Sequence, residues 1–230
     1  MTGKYEKGIL FGVGVGPGDP ELITVKALRI LAYCDVVGIP GKEPSQSVAY
    51  RIAAAAYPEI CGKEKLMLET PMTKDYNLLN RNYDELASRA EEELNRGKNV
   101  AILTLGDPTI YSTCIYIIRR AAAHGYRTQL VSGVPSFCAV AAKLGDSLAD
   151  RDTQIHIIPA SYGTEEALAL PGTKILMKAG KTIHEAKCAV LEGGFEASLA
   201  VNCGMPGEQI YEDAADAPDD AGYYSMLIVR

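Results

Sequence analysis

Two apolar runs that each end in a glycine turn constrain this chain more than any other feature. Residues 101–113 read AILTLGDPTIYST, and Ala101 to Leu105 is apolar except for Thr104. That run is long enough for a strand and too short for a helix. Gly106-Asp107-Pro108 ends it, because glycine permits a tight turn and proline has no N–H with which to continue a ladder. Apolar residues then recur at helical spacing through TIYSTCIYIIRRAAA. Residues 8–20, GILFGVGVGPGDP, repeat the arrangement with a strand before Gly18-Asp19-Pro20. In an open α/β sheet, ligands bind at the carboxyl ends of strands. Two such turns suit a ligand held by backbone, although glycine is common in strand–helix turns and spacing alone leaves a purely structural turn equally open.

The rest of the chain extends this pattern. Strands are expected at 9–15, 35–38, 65–68, 100–105 and 128–131. Helices are expected after Pro20, at 47–57, at 78–96 before Gly97, at 112–124, and through the alanine-rich segment that reaches Leu144. Asp19 is placed to cap the first helix, with Pro20 at its first position and Glu21 near the positive end of the dipole. Leu22, Val25, Leu28 and the segment from Ile30 to Ala32 should form its buried side. Strands alternating with helices imply a parallel, doubly wound sheet. After Gly145 the spacing loosens, with strand candidates at 155–158, 174–177, 198–202 and 223–229 and helices at 165–168 and 183–192. The expected architecture is therefore α/β in two domains: an N-terminal parallel doubly wound sheet over 1–133 and a C-terminal mixed sheet over 134–230.

Composition narrows the function classes. The chain has 230 residues, enough to bury a sizeable core. Its net charge is −6, and no Trp and only three Phe are present. Nucleic-acid binding needs a basic face and usually stacking aromatics, so that class is disfavoured. The six cysteines form no C-x-x-C pair and mostly sit in apolar runs, the pattern of a reduced, cytoplasmic protein. Lys4, Glu6 and Lys7 precede the first strand, which argues against a signal peptide. No apolar stretch of about 18 residues occurs, so no membrane span is expected.

Several familiar motifs fail on inspection. A dinucleotide G-x-G-x-x-G begun at Gly12 meets Pro17 where its last glycine belongs, and begun at Gly14 it meets Asp19. Gly180-Lys181-Thr182 has Ile175 in place of the leading glycine of a phosphate loop. His184-Glu185 with Cys188 lacks the second histidine of a zinc helix, so a solvated face is expected and no metal. Ser136 stands in GVPSF and not in a nucleophile elbow. His124 and His156 have no catalytic partner in the sequence and are taken as structural. For Asp19 the cap reading prevails, whereas Asp107 stays open between a helix cap and a ligand contact.

GVGVGPGDPELITVKALRIL, the GDPTIYST turn and VSGVPSFCAVAAKLG closely resemble the tetrapyrrole methylase family, and the resemblance covers essentially the whole chain. LETPMTKDYN, the tyrosine and serine after the second Gly-Asp-Pro, and IHIIPAS are similar to the subfamily that methylates carbon 20 of precorrin-2 or cobalt-factor II in cobalamin biosynthesis. The resemblance implies a class III methyltransferase-like fold. S-adenosylmethionine (SAM) would lie folded in the cleft between the two domains, held mostly by main chain. It assigns SAM contacts to Pro17, Gly106, Asp107, Ile110, Ser136 and Phe137, and in the second domain to Met177, Gly204, Ser225 and Met226. A sulfonium and an adenine need no phosphate cradle, which agrees with the failed phosphate motifs. The implied acceptor is a macrocycle rich in carboxylates, for which Lys42, Lys178 and Lys181 are candidate partners beside their ordinary reading as solvated lysines. Asp107 and Tyr111 are candidates for orienting substrate, and no side chain identifies itself as the base. A homodimer is expected, with no protein-bound metal. A sister methylase acting at another ring carbon, and a non-catalytic SAM- or tetrapyrrole-binding protein, are the alternatives.

Overall fold

The computed structural model describes residues 6–159, 164–178, 183–219 and 221–230. The chain divides into two compact units, Met1–Pro135 and Ser136–Arg230.

The first unit is built on five parallel strands. They are β1 (Ile9–Gly14), β2 (Val36–Pro40), β3 (Glu64–Leu68), β4 (Val100–Thr104) and β5 (Arg127–Val131), ordered β3-β2-β4-β1-β5. The helices are α1 (Val25–Tyr33), α2 (Val48–Ala56), α3 (Tyr76–Asn95) and α4 (Cys114–Ala123). Side chains alternate across a strand, so β1 sends Phe11 and Val13 to one face and Leu10 to the other. The first face, with Leu103 and Ile39, buries against Leu31 of α1 and Ile52 of α2. The second, with Ile102 and Val100, buries against Leu86 and Leu94 of α3 and Ile117 and Ile118 of α4. Both faces are covered, as an all-parallel sheet requires.

The strand order creates the position for a site. From β1 the chain runs to β2 and β3 on one side, whereas from β4 it runs past β1 to β5 on the other. β1 and β4 are neighbours, paired from Leu10↔Val100 to Gly14↔Thr104. Adjacent strands whose connections depart in opposite directions form the switch point where open α/β sheets bind ligands. Both glycine turns of the sequence lie there.

The start of α1 differs from expectation. Asp19 caps a single 3-10 turn, Pro20–Leu22, through Oδ1 and the Glu21 N–H at 2.9 Å. The chain then extends through Ile23, and Thr24 caps α1 by accepting from the Ala27 N–H at 3.1 Å. Restarting the helix at Thr24 rotates its face. Ala27 and Leu31 are buried, whereas Val25 is 62% exposed and Ala32 is exposed too.

The second unit holds α5 (Ser136–Leu144), α6 (Thr164–Leu168), α7 (Ile183–Glu192) and a mixed sheet. Its strands are β6 (Ile155–Pro159), β7 (Thr173–Met177), β8 (Ala197–Val201), β9 (Gln209–Tyr211) and β10 (Ser225–Val229). Their order is β6-β7-β10-β8-β9, with β6 and β7 parallel and the remaining pairs antiparallel. β9 escapes the sequence reading because only three residues pair, too few to show alternation. Leu176, Leu199, Leu227 and Val229 face Ala186 and Val190 of α7 in this unit's core. Among the described residues no helix is long and apolar enough to cross a membrane.

Candidate functional site

At the carboxyl ends of β1, β4 and β5 the backbone itself is the packing material. Past the last paired residues, the Gly106 N–H donates to the Gly16 carbonyl at 2.7 Å and the Gly16 N–H donates back at 3.3 Å. A Cβ placed on Gly14 would lie 2.5 Å from the Gly106 carbonyl oxygen and 2.6 Å from the Gly133 nitrogen. One placed on Gly133 would lie 2.1 Å from the same oxygen. Three main chains therefore meet at a spacing that only residues without a Cβ allow. Of the three positions, only Gly106 was singled out by the sequence reading. Gly14 and Gly133 could have been recognised as glycines ending two further strands.

Asp107 stitches this junction and is itself buried. Its Oδ1 accepts from the Thr109 N–H at 2.8 Å and from the Thr109 hydroxyl at 2.6 Å. Its Oδ2 accepts from the Gly133 N–H at 3.0 Å, joining the turn after β4 to the turn after β5. The carboxylate caps no helix. The group at the start of α4 is the Ser112 hydroxyl, which accepts from the Cys114 N–H at 3.2 Å and lies 2.7 Å from the Thr104 hydroxyl. Tyr111 follows at φ +47°, a left-handed conformation rare for a bulky residue, and is 45% exposed. A strained residue held on a braced turn is a common feature of functional sites.

Gly106 is different from its two neighbours. It sits at φ +69°, and a Cβ there would meet nothing nearer than the Val134 carbonyl at 3.9 Å. A Cβ on this glycine would make only ordinary van der Waals contact, whereas one on Gly14 or Gly133 would run into backbone. Pro17 follows the bridged Gly16, so the first unit brings Pro17, Gly106, Asp107 and Ile110 to one end of its sheet. Ser136 and Phe137 open α5, immediately after the turn that carries Gly133.

In the second unit the remaining candidates also gather. Met226 lies opposite Met177 on one side and Ala200 on the other, and Ser225 lies opposite Val201. Gly204 follows three residues after β8, and its N–H is held by the Glu208 carboxylate. That bond first, and Lys143 at 3.1 Å next, hold the Glu208 carboxyl below the usual carboxylate range. Met177, Gly204, Ser225 and Met226 thus belong to one end of the mixed sheet. The candidate lysines are scattered. Lys42 pairs with Glu69 at 3.2 Å on an exposed surface. Lys178 follows β7 at φ +56°, and burial lowers its ammonium from the ordinary value. Lys181, like Ala160 and Ser161 of the IHIIPAS segment, lies outside the described residues.

The rejected motifs have ordinary partners. His184 faces Asp219 at 3.3 Å, and Asp219 also takes Lys187 at 3.0 Å. His124 pairs with Glu91 at 2.8 Å. Among the described residues no three His, Cys, Asp or Glu side chains gather to hold a metal ion.

Comparison with known proteins gives this geometry a context. The model of the Tetrapyrrole (Corrin/Porphyrin) Methylases matches residues 10–218. A probable cobalt-precorrin-2 C(20)-methyltransferase of Methanocaldococcus jannaschii is 34% identical over 177 residues, covering 76% of this chain and 74% of the relative. Cobalt-precorrin-2 C(20)-methyltransferase of Salmonella typhimurium is 30% identical over 238 residues, covering 100% and 97%. Among solved structures, the uroporphyrin-III C-methyl transferase from Thermus thermophilus complexed with S-adenyl homocysteine matches with a TM-score of 0.65 at 22% identity. The match covers 96% of this chain and 97% of that one.

The junction predicts its own sensitivity. Gly133→Ala must displace the Gly106 carbonyl and the Asp107 contact together, a cost of about 2–4 kcal/mol for a strained backbone with a lost buried hydrogen bond. Chemical denaturation of the variant, with amide exchange at Gly106 as the local probe, checks this. A stability within about 0.5 kcal/mol of the parent protein would show that the three backbones are not tightly packed.

Proposed function

The chain belongs to the tetrapyrrole (corrin/porphyrin) methylases, and from that membership we propose that it methylates carbon 20 of precorrin-2 or its cobalt complex, cobalt-factor II, during cobalamin biosynthesis, using SAM as methyl donor. The observation that carries the reading is the full-length match to a cobalt-precorrin-2 C(20)-methyltransferase. The two relatives described above are both named for the cobalt form, which favours the cobalt complex as acceptor.

The residues present fit SAM. A Cβ on Gly106 would clash with nothing, so a ligand group can approach the main chain there, and Met177 beside Met226 supplies an apolar wall. Pro17, Gly106, Asp107, Ile110, Ser136 and Phe137 in sequence order, with Met177, Gly204, Ser225 and Met226, are the proposed contacts. When bound, SAM supplies a methyl on a sulfonium to a nucleophilic ring carbon, which afterwards loses a proton. The chain's part is chiefly positioning, since two reactants held at near-attack distance react in an effectively unimolecular step. Asp107 acts through the turn, because both its oxygens already accept hydrogen bonds within it. Tyr111, exposed on the same braced turn, is left to orient the acceptor.

Anaerobic incubation with methyl-labelled SAM and each acceptor, followed by NMR of the product, tests the reaction. Label at carbon 20 is expected. Label at another ring carbon would identify a sister methylase, and no turnover without SAM binding would identify a non-catalytic binding protein.

Two substitutions separate the roles assigned at the turn. Tyr111→Phe should lower turnover about tenfold and leave SAM affinity unchanged, the loss of an orienting hydrogen bond worth about 1.4 kcal/mol. Gly106→Ala should cost about 1 kcal/mol of stability through its positive φ, yet weaken SAM far more than folding. Calorimetric SAM titration beside a thermal melt reads both. An unchanged Kd with a lowered Tm would remove the cofactor role from this turn.

We further place the enzyme in the cytoplasm as a homodimer. None of the six cysteines is in a disulfide, and three of them are buried, which suits a reducing compartment. Symmetric dimers are the commonest soluble assemblies. Light scattering should return twice the 24.7 kDa chain mass, and a single chain mass at micromolar concentration would contradict the dimer.

A further inference from the structure

The second unit contains a cavity of about 660 Å³ that none of the proposed SAM contacts lines. It opens at the other end of the mixed sheet, around Lys174 and Arg230. Lys174 is three residues from Met177 along β7, about 10 Å of strand. The volume is typical of a small-molecule site.

Lys174 is the unusual member of the lining. It is only 3% exposed, in the middle of a strand whose other residues are apolar apart from Thr173. Among the described residues its ammonium makes no hydrogen bond or ion pair, and it lies 4.7 Å from the centre of the Phe195 ring. Burial lowers its pKa from 10.5 with no opposing charge. Buried lysines are rarely left unpaired, because the desolvated ammonium is costly without an anion beside it. The other lysine of similar burial, Lys187, follows that rule by donating to the Ala217 carbonyl and pairing with Asp219.

Two further observations concern what would complete the site. His156 pairs with Lys174 in the register of β6 and β7, so both project from the same face. Its Nε2 is buried without a hydrogen-bond partner. The fold thus leaves the His156 Nε2 unsatisfied at the position next to Lys174, although His156 itself does not line the cavity. The second cation of the lining, Arg230, is already engaged with Asp146 at 2.7 Å, so among the described lining residues, which also include Asp150, Lys174 is the cation that remains. Leu168, Leu170, Pro171 and Phe195 supply an apolar wall around it.

We propose that this cavity is a binding site for a small organic anion, with an anionic head on Lys174 and an apolar body against Leu168, Leu170 and Phe195. The site is separate from the one proposed for methyl transfer and does not depend on that reading. A carboxylate or phosphate head would satisfy the ammonium equally, and the apolar wall selects molecules with a hydrocarbon portion over the bare inorganic anion.

The test titrates the full chain with acetate, hexanoate and inorganic phosphate at matched ionic strength, read by calorimetry and thermal melting. Hexanoate should bind saturably and at least tenfold more tightly than either other probe. Lys174→Met should lose that binding at least tenfold, and without anion it should melt no lower than the parent, since an unpaired buried charge has been removed. Leu170→Glu, at a position 38% exposed and so tolerant of change, should also weaken hexanoate by repulsion at the wall. Lys26→Met, on an exposed helix surface, should leave the affinity unchanged. Binding that persists in both Lys174→Met and Leu170→Glu would overturn the site, as would no saturable binding of any probe. Phosphate binding as tightly as hexanoate would overturn the organic class of ligand.

Discussion

Everything at the proposed transfer site of the first unit depends on three main chains meeting without side chains between them. The Gly106 carbonyl lies where a Cβ on Gly14 or Gly133 would have to go. Parallel strands normally stand about 4.8 Å apart and splay into separate loops at their ends. Here the loop after β4 folds across its neighbours, and the Asp107 carboxylate fastens it by accepting from the Gly133 N–H. A buried carboxylate with its oxygens occupied is a rigid brace. That rigidity allows Tyr111 to persist at φ +47° and holds Gly106 at a fixed place.

The topology explains why the junction lies between these strands. β1 and β4 are adjacent, and the connections after them lead to helices on opposite faces of the sheet, α1 after β1 and α4 after β4. α1 and α2 cover one face and α3 and α4 the other. Right-handed crossovers require this division once the connections run both ways. The polar backbone left at the crevice is satisfied by the Gly16–Gly106 bridge. The mixed sheet of the second unit arranges its ends differently. Its antiparallel neighbours place Met177 opposite Met226 at one end, while the other end holds Lys174, which among the described residues has no ion-pair partner, in the lining of a cavity.

Much of this was legible in the chain, for reasons that can be named. Parallel, doubly covered strands are near-continuous apolar runs, so β1 and β4 announce themselves as ILFGVG and VAILT; the central β10 reads the same way as SMLIV, although both of its neighbours are antiparallel. Helix ends marked by Ser47 and Gly97 were equally plain. Less was legible where a local signal had two uses. Asp19-Pro20 is a valid helix start, yet only a single 3-10 turn follows it, and Thr24 three residues later begins the real helix. Asp107 offered a cap or a ligand contact, and its partner proved to be Gly133, 26 residues away. A hydrogen bond of that span leaves no trace in local spacing. Lys174 was unremarkable for the same reason, since its burial under Phe195 depends on elements far apart in the chain.

By itself the sequence determined the class of sheet, the order of its elements and the two glycine turns that end β1 and β4. Those follow from period, run length and the stereochemistry of glycine and proline, which are local properties. Family membership was legible too, because GVGVGPGDP, GDPTIYST and VSGVPS are contiguous segments. Only the tertiary structure decided that Gly14 and Gly133 matter as much as Gly106, that Asp107 is a brace, and that Lys174 is buried with no ion-pair partner among the described residues. Each of those depends on which backbones approach one another once the sheets have formed, a relation between distant residues that no single stretch of chain contains.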